Sequence, residues 1–273
     1  MKVLLTGATG FIGSHVAEVL RGAGHEVFPA TRANGVDFNQ LQKPECWLPL
    51  LQGVEAVINC VGIIVENRTQ DFITLHYRVP VALFHACVKA GVKRVIQVSA
   101  LGADTHAVTS FLVSKGKADE VLRGLPLDWF IIRPSLVVGP GGQSAEFFQR
   151  LANLPIIPLI DGGRQWIQPV HIDDLVAAVN QCLVTGTAQR TIDAVGPQTM
   201  TVCDRLQSLR RECGKTPAPV LSIPYPLALL VSHLVQWFVP LCQPDNLRML
   251  QAGNTADVEP FAHFIGRIPR ELS

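Results

Sequence analysis

Short β-branched apolar runs alternate with longer amphipathic stretches through the first two-thirds of the chain. Val3–Thr6, Glu26–Thr31, Ala56–Cys60, Arg94–Ser99 and Trp129–Arg133 read as strands. Helical patterns fall between them, near Ile12–Ala23, Phe72–Ala90 and Ser114–Arg123. Gly22 and Gly24 close the first helix and Gly91 closes the long one. Strand, helix, strand at this spacing predicts parallel pairing through right-handed crossovers. The strand runs are apolar almost without a break, as expected where helices cover both faces of a sheet. The expected fold class is therefore α/β, a doubly wound parallel sheet of the Rossmann kind.

After Pro134 the rhythm changes. Pro and Gly gather at Pro140-Gly141-Gly142, Pro155, Pro158 and Gly162-Gly163. A helix is expected over Ile172–Leu183, a strand near Thr191–Val195, a helix over Val202–Cys213, and helix then irregular structure from Pro244 to Ser273. The chain divides into a dinucleotide-binding domain over 1–135 and a smaller α/β lobe over 136–273, partly interleaved with the sheet. No internal repeat or low-complexity segment is visible.

Composition narrows the picture. The chain has 273 residues, 48% hydrophobic and 16% charged, which supports a large core and excludes wholesale disorder. A formal net charge of +1, with no Lys/Arg run, argues against a nucleic-acid partner. Cys46, Cys60, Cys87, Cys182, Cys203, Cys213 and Cys242 are scattered and never spaced C-x-x-C, so buried free thiols and no metal cluster are expected. His171 beside Asp173 and Asp174 is a poor metal site and a good helix start. Met1-Lys2 runs at once into Val3-Leu4-Leu5, too short for a signal sequence, and a cytoplasmic location is expected. The stretch Leu227–Val239 is strongly apolar but shorter than the roughly 20 residues that span a bilayer. It reads as a buried or partly interfacial helix and leaves peripheral membrane contact open.

Candidate chemistry begins at the first strand–helix junction. Gly7-Ala8-Thr9-Gly10-Phe11-Ile12-Gly13 fits G-x-x-G-x-x-G between a strand and a helix. The first glycine permits the tight turn, the second the approach of a pyrophosphate, and the third the close packing of helix on strand. The helix then offers unpaired N–H groups and a positive dipole end to the phosphates, with Thr9 a further donor. Sites for NAD place an Asp or Glu at the end of the second strand to hold the ribose hydroxyl. Here that segment is Ala30-Thr31-Arg32-Ala33, with no acid. Arg32 suits a 2′-phosphate, which favours NADP(H) over NAD(H).

The glycine loop, together with Val98-Ser99-Ala100, Ser114-Lys115 and Arg133-Pro134-Ser135, resembles the short-chain dehydrogenase/reductase superfamily. It is similar in particular to the extended and atypical branch with NAD(P)-dependent epimerase/dehydratase-like folds, and to the group around the NADPH-binding subunit of respiratory complex I. Gln168-Pro169-Val170-His171-Ile172-Asp173-Asp174 and Gly253-Asn254-Thr255-Ala256-Asp257 look like the same group. The resemblance implies that Asp37 and Phe38 lie at the adenine edge. It implies that Cys60, Val61 and Gly62 follow the fourth strand and line the cofactor. Ser99 would sit beside the nicotinamide, Lys115 would bond its ribose, and Pro134 and Ser135 would abut its carboxamide. Ser99 and Lys115 are thereby the candidate catalytic residues.

The superfamily's acid/base is a tyrosine four residues before that lysine, where this chain has Phe111. A phenyl ring transfers no proton. Three outcomes remain. Hydride passes to a quinone or activated double bond while Ser114, His76, His171 or water supplies the proton; or the nucleotide is bound without turnover, in an assembly or redox-sensing module with a membrane or respiratory partner; or a shifted register presents another group. The lobe loops Gly139–Gly142 and Pro158–Trp166 are mainly apolar, with Arg164 the cation before Gln168. They suit an apolar, quinone-like substrate better than a nucleotide sugar.

Overall fold

The computed structural model describes residues 1–235, 239 and 242–272. The strands are β1 (Lys2–Thr6), β2 (Glu26–Ala30), β3 (Ala56–Asn59), β4 (Arg94–Val98), β5 (Asp128–Pro134), β6 (Val137–Val138), β7 (Ile157–Ile160), β8 (Trp166–Ile167), β9 (Val170–His171), β10 (Arg190–Ala194), β11 (Met200–Thr201) and β12 (Val220–Ile223). The helices are α1 (Phe11–Gly22), α2 (Pro44–Trp47), α3 (Val79–Ala90), α4 (Ser110–Arg123), α5 (Gln143–Ala152), α6 (Ile172–Val184), α7 (Val202–Glu212), α8 (Tyr225–Val235), α9 (Pro244–Ala252) and α10 (Glu259–Ile265).

Six strands form one sheet in the order β10-β5-β4-β3-β1-β2, and every pairing in it is parallel. The direction of winding reverses between β1 and β3, which opens a crevice beyond their carboxyl ends. Alternate strand residues serve opposite layers. Val3, Leu5, Ile58, Ile96 and Ile132 pack under α1, α6 and α10, whereas Leu4, Val57, Val95 and Ile131 pack under α3 and α4. Both faces are thus covered, which explains the unbroken apolar strands. A third core, around Ile157, Leu159, Val202 and Leu206, builds the lobe.

Several boundaries differ from expectation for physical reasons. Between β2 and β3 the chain makes short helical turns at Arg32–Asn34 and Phe38–Gln40 and no outer strand. Cys60–Gly62 consequently follow the third strand of this sheet, not a fourth. The long helix expected from Phe72 opens as a π-helical turn over Ile73–Arg78 before α3 takes over. Pro80 lies in the first turn of α3 and has no N–H to return to the residue 76 carbonyl, so the regular ladder cannot run through it. Helix α4 starts a turn earlier than the pattern suggested, at a Thr109 cap that accepts from the Leu112 N–H. Helix α5 was hidden among glycines and prolines, and the tail carries a second helix, α10. Of the apolar stretch Leu227–Val239, α8 accounts for the residues to 235; residues 236–238 lie outside the described residues, as does Ser273. Among the described residues, no helix is long and apolar enough to cross a membrane.

Candidate functional site

The glycine loop is shaped by steric exclusion. Gly7 has φ +70°, and a Cβ on it would lie 2.7 Å from the Cys60 carbonyl carbon and oxygen. A Cβ on Gly13 would lie 2.1 Å from the Gly7 carbonyl oxygen, so only glycine lets α1 sit this close to β1. The Gly10 N–H donates to the Gly7 carbonyl at 2.9 Å and closes the turn. Gly10 then caps α1 with no side-chain bond, and no acid stands in the first turn. The leading N–H groups of α1 therefore remain available for an anion, next to the exposed Thr9. Ala8 and Ile12 are half-buried and join the sheet core, while the Phe11 ring meets the lobe loop, where a Cβ on Gly142 would be 3.0 Å from it.

Beyond β2, Arg32 is exposed at the start of a short helical turn, and its guanidinium makes no hydrogen bond or ion pair among the described residues. Asp37 caps the next turn, accepting from the Asn39 N–H at 3.1 Å. The Phe38 ring tilts against Trp47 with centroids 6.1 Å apart.

The carboxyl ends of β1, β3 and β4 carry a buried polar ladder that sequence reasoning did not name. The Thr6 hydroxyl donates to Asn59 Oδ1, Asn59 Nδ2 donates to Gln97 Oε1 at 2.7 Å, and the Val61 N–H donates to Asn59 Oδ1 at 3.3 Å. These residues are register neighbours, Thr6 opposite Asn59 and Asn59 opposite Gln97. The ladder fixes where Cys60, Val61 and Gly62 leave the sheet. Cys60 is half-buried by exposure, and burial pushes its thiol up to about 12 against the nearby Lys115 charge, so it stays protonated.

Helix α4 projects Phe111, Lys115 and Asp119 at i, i+4 spacing, one above another. Lys115 is buried and donates from Nζ to the Val98 carbonyl at 3.1 Å, with Gly62 facing it across the strand end. Burial pulls its ammonium down to about 8, against the upward pull of Asp119 and Cys60. Ser99 is buried and its hydroxyl donates to Asp119 Oδ2 at 2.7 Å, so its proton points into α4. Arg133 approaches the same carboxylate at 3.5 Å, an ion pair without a hydrogen bond. Burial pushes the Asp119 carboxyl up, while the Ser99 bond and the Arg133 charge pull it down. Asp119 was the detectable omission, since it stands one turn beyond Lys115 on the same helix face. Pro134 ends β5 and Ser135 follows it; the Ser135 hydroxyl donates to the Gln168 carbonyl at 2.6 Å, and the Ser135 N–H to the Ala194 carbonyl at 3.0 Å.

Phe111 lies where a proton donor was sought. Its ring meets Phe72 and His76 edge-on, with centroids 5.6 and 5.3 Å away. His76 is buried, and stacks on Phe72 at 5.2 Å. The Ile63 N–H donates to His76 Nε2 at 3.0 Å. An N–H can only donate, so Nε2 is bare and the ring hydrogen sits on Nδ1, 3.1 Å from Ser114 Oγ. The Ser114 hydroxyl in turn donates to the Phe111 carbonyl at 2.8 Å. Two of the three residues weighed as proton sources, His76 and Ser114, thus have their hydrogens committed. His171 instead caps α6, accepting from the Asp173 N–H at 3.2 Å.

One cavity adjoins this corner and another lies in the lobe. The first, of about 480 Å³, lies beside Phe72, Val113, Ser114 and Lys117. The second, of about 270 Å³, is enclosed by Leu136, Val138, Phe148, His171 and Leu209, with Arg205 and Glu212 paired at 3.0 Å on its wall. Helix α8 is inside-out: small Ala228 and Ser232 face inward, whereas Leu227, Leu230, Val231 and Leu234 are exposed. All seven cysteines are free, and no metal-holding cluster occurs among the described residues.

Comparison with known proteins agrees with this architecture. A subunit of mitochondrial NADH dehydrogenase [ubiquinone], 1 alpha subcomplex subunit 9 of Mus musculus, is 27% identical over 243 residues, 82% of this chain and 63% of that protein. The ceramide reductase of Caulobacter vibrioides is 27% identical over 64% of this chain and 58% of its own length. The chain thus spans little more than half the length of these curated relatives. MoeE5, solved in complex with UDP-glucuronic acid and NAD, superposes with a TM-score of 0.74 at 20% identity, over 99% of this chain and 94% of that one. The model of the NAD dependent epimerase/dehydratase family matches residues 3–194, from the first strand to the last strand of the sheet, and the chain belongs to that family.

Proposed function

We propose that the chain binds NADP(H) across the carboxyl edge of its sheet and acts as an oxidoreductase towards an apolar, quinone-like acceptor. The observation that carries this reading is the glycine loop: its backbone leaves no room for a side chain, and the α1 N-terminus it presents has no competing acid. Those features suit a pyrophosphate. The unpaired, exposed Arg32 supports the phosphorylated form of the nucleotide. Asp37 and Phe38 would border the adenine; Cys60, Val61 and Gly62 would form the floor. Lys115 would hold the nicotinamide ribose, and Ser99, Pro134 and Ser135 would border the ring.

The nicotinamide, when bound, supplies a hydride. A quinone accepts that hydride and a proton, and solvent is the source of the proton, because the hydrogens of Ser99, Ser114 and His76 are all engaged within the protein. Titration of the full chain with NADPH and NADH tests the nucleotide assignment. A preference for NADPH of about tenfold or more is expected; equal affinity or tighter NADH removes the Arg32 argument.

A second reading has its own support. Phe111 and the closed hydrogen-bond chain beside it suit a module that holds NADPH without turning it over. The exposed leucines of α8 would then be a contact face for a respiratory or membrane partner, in keeping with relatives named as subunits of NADH dehydrogenase. Stopped-flow oxidation of bound NADPH by a quinone panel separates the two: turnover supports the enzyme, and its absence across the panel supports the module.

A further inference from the structure

The loop Cys60–Ile63 joins the two halves of the site. At one end its Cys60 carbonyl touches Gly7; at the other, Gly62 faces both Lys115 Nζ and His76 Nε2, which would lie 3.5 and 3.6 Å from a Cβ there. Two buried side chains hold this loop from below. Asn59 accepts the Val61 N–H, and His76 accepts the Ile63 N–H. Between those two anchors the backbone has one course, and it defines the floor under the strand-end crevice.

We propose that His76 is a positioning residue of the nucleotide site: its bare Nε2 fixes the Gly62–Ile63 peptide, and thereby the floor on which the dinucleotide rests. This rests on the reading of the crevice as a dinucleotide site. The geometry demands a neutral imidazole in its Nδ1–H form, because a hydrogen on Nε2 would face the Ile63 N–H. The surroundings enforce neutrality. Phe72 and Phe111 enclose the ring, the Lys115 ammonium stands near it on α4, and the Cys60 thiol is protonated. Burial, then the Lys115 charge, hold the imidazole well below its ordinary pKa. The ring arrives there on the π-helical turn, the irregular segment forced by Pro80, and such turns recur at functional sites. A buried polar ring costs more than an apolar one of the same volume unless its bonds are used; here both nitrogens are used.

The test compares the full-length wild type with His76→Leu, which fills the volume without an acceptor, and His76→Gln, which restores an acceptor at similar reach and cannot titrate. NADPH affinity and melting temperature are measured for each. Nitrogen-15 spectra of the wild-type histidines report which ring nitrogen carries hydrogen. His76→Leu is expected to lose about tenfold in affinity, His76→Gln to recover most of it, and the His76 spectrum to show the Nδ1–H form. Wild-type affinity in His76→Leu, or equal weakness in both variants at equal folding, overturns the proposal, as does an Nε2–H spectrum. If His76→Leu fails to fold, Ser114→Ala takes its place, removing the acceptor of Nδ1–H, with about a threefold loss expected and no loss counting against the proposal. A wild type that binds neither NADPH nor NADH sinks the dinucleotide reading and this inference with it. One that binds while the variants bind equally sinks this inference alone.

Discussion

The glycine loop after β1 and the corner where α4 meets β4 open on one crevice, yet different parts of the chain shape them. The loop is all backbone: Gly7 and Gly13 matter for the atoms they lack, and α1 contributes N–H groups no side chain competes for. The corner is all side chain: Lys115, Asp119, Ser99, His76 and Ser114 are buried and bonded to one another or to the backbone. A backbone cradle binds what fits it and is indifferent to most substitutions nearby. A buried side-chain network is tuned by each member, and here the hydroxyl hydrogens of Ser99 and Ser114 and the ring hydrogen of His76 are engaged internally. Binding and proton transfer are therefore separable in this fold, and the corner can change chemistry while the cradle stays.

That contrast can be broken from either side. Gly13→Ala should have the largest effect: a Cβ 2.1 Å from a carbonyl oxygen must push α1 off the sheet. A stability loss of about 3 kcal/mol or more, with no measurable nucleotide binding, is expected in thermal unfolding and titration. Lys115→Met should split the two properties. NADPH affinity falls by about tenfold or more, while the melting point rises because a buried charge has gone. Its pH signature has a definite sign. The folded lysine releases its proton near 8, whereas the unfolded one keeps it up to about its ordinary 10.5. Between those values the unfolded state binds more protons, so wild-type stability climbs with pH there, and Lys115→Met lacks the climb. Arg32→Asp should leave folding untouched and shift the NADPH-to-NADH affinity ratio by about tenfold or more towards NADH; an unchanged ratio would show Arg32 to be a surface residue. Phe111→Tyr is the mildest change, costing under about 1 kcal/mol at a half-buried ring edge. Gain of carbonyl reduction with NADPH is the expected readout, and none with Lys115 in place would mean the corner is not aligned for it.

What could be read from sequence follows the range of the forces involved. The glycine loop is legible because a tight turn against a helix start is settled within seven residues. Strand and helix identities are legible because apolar periodicity is local. The π-helical turn escaped because Pro80 acts on a carbonyl a full turn upstream, and α5 because flanking glycines and prolines drowned its short apolar stripe. The Thr6–Asn59–Gln97 ladder depends on strand register, which no single strand encodes. The strand preceding Cys60 was counted as a fourth on family pattern, and short helical turns in place of an outer strand make it the third. The roles of Ser99 and Lys115 were inferred through a tyrosine that is absent. The spacing of Asp119 one turn beyond Lys115 on α4 is legible in the sequence, but its bond to Ser99 at the end of β4 is not, because it joins residues that only the fold brings together.

The outermost strand on the β5 side has a bearing on how the protein is made. Strand β10 zips onto β5 along Arg190–Ala194, yet the whole of β6 to α6 is synthesised between them. A nascent chain emerging from the ribosome holds β5 with an open hydrogen-bonding edge until that later segment arrives. Closing so long a loop is slow, and an open apolar edge is an invitation to pair with a neighbour. A fragment cut at residue 135 would carry the same bare edge permanently. The first five strands of the sheet and the lobe are in this sense one folding event, with the last strand of the sheet delivered after the lobe has begun.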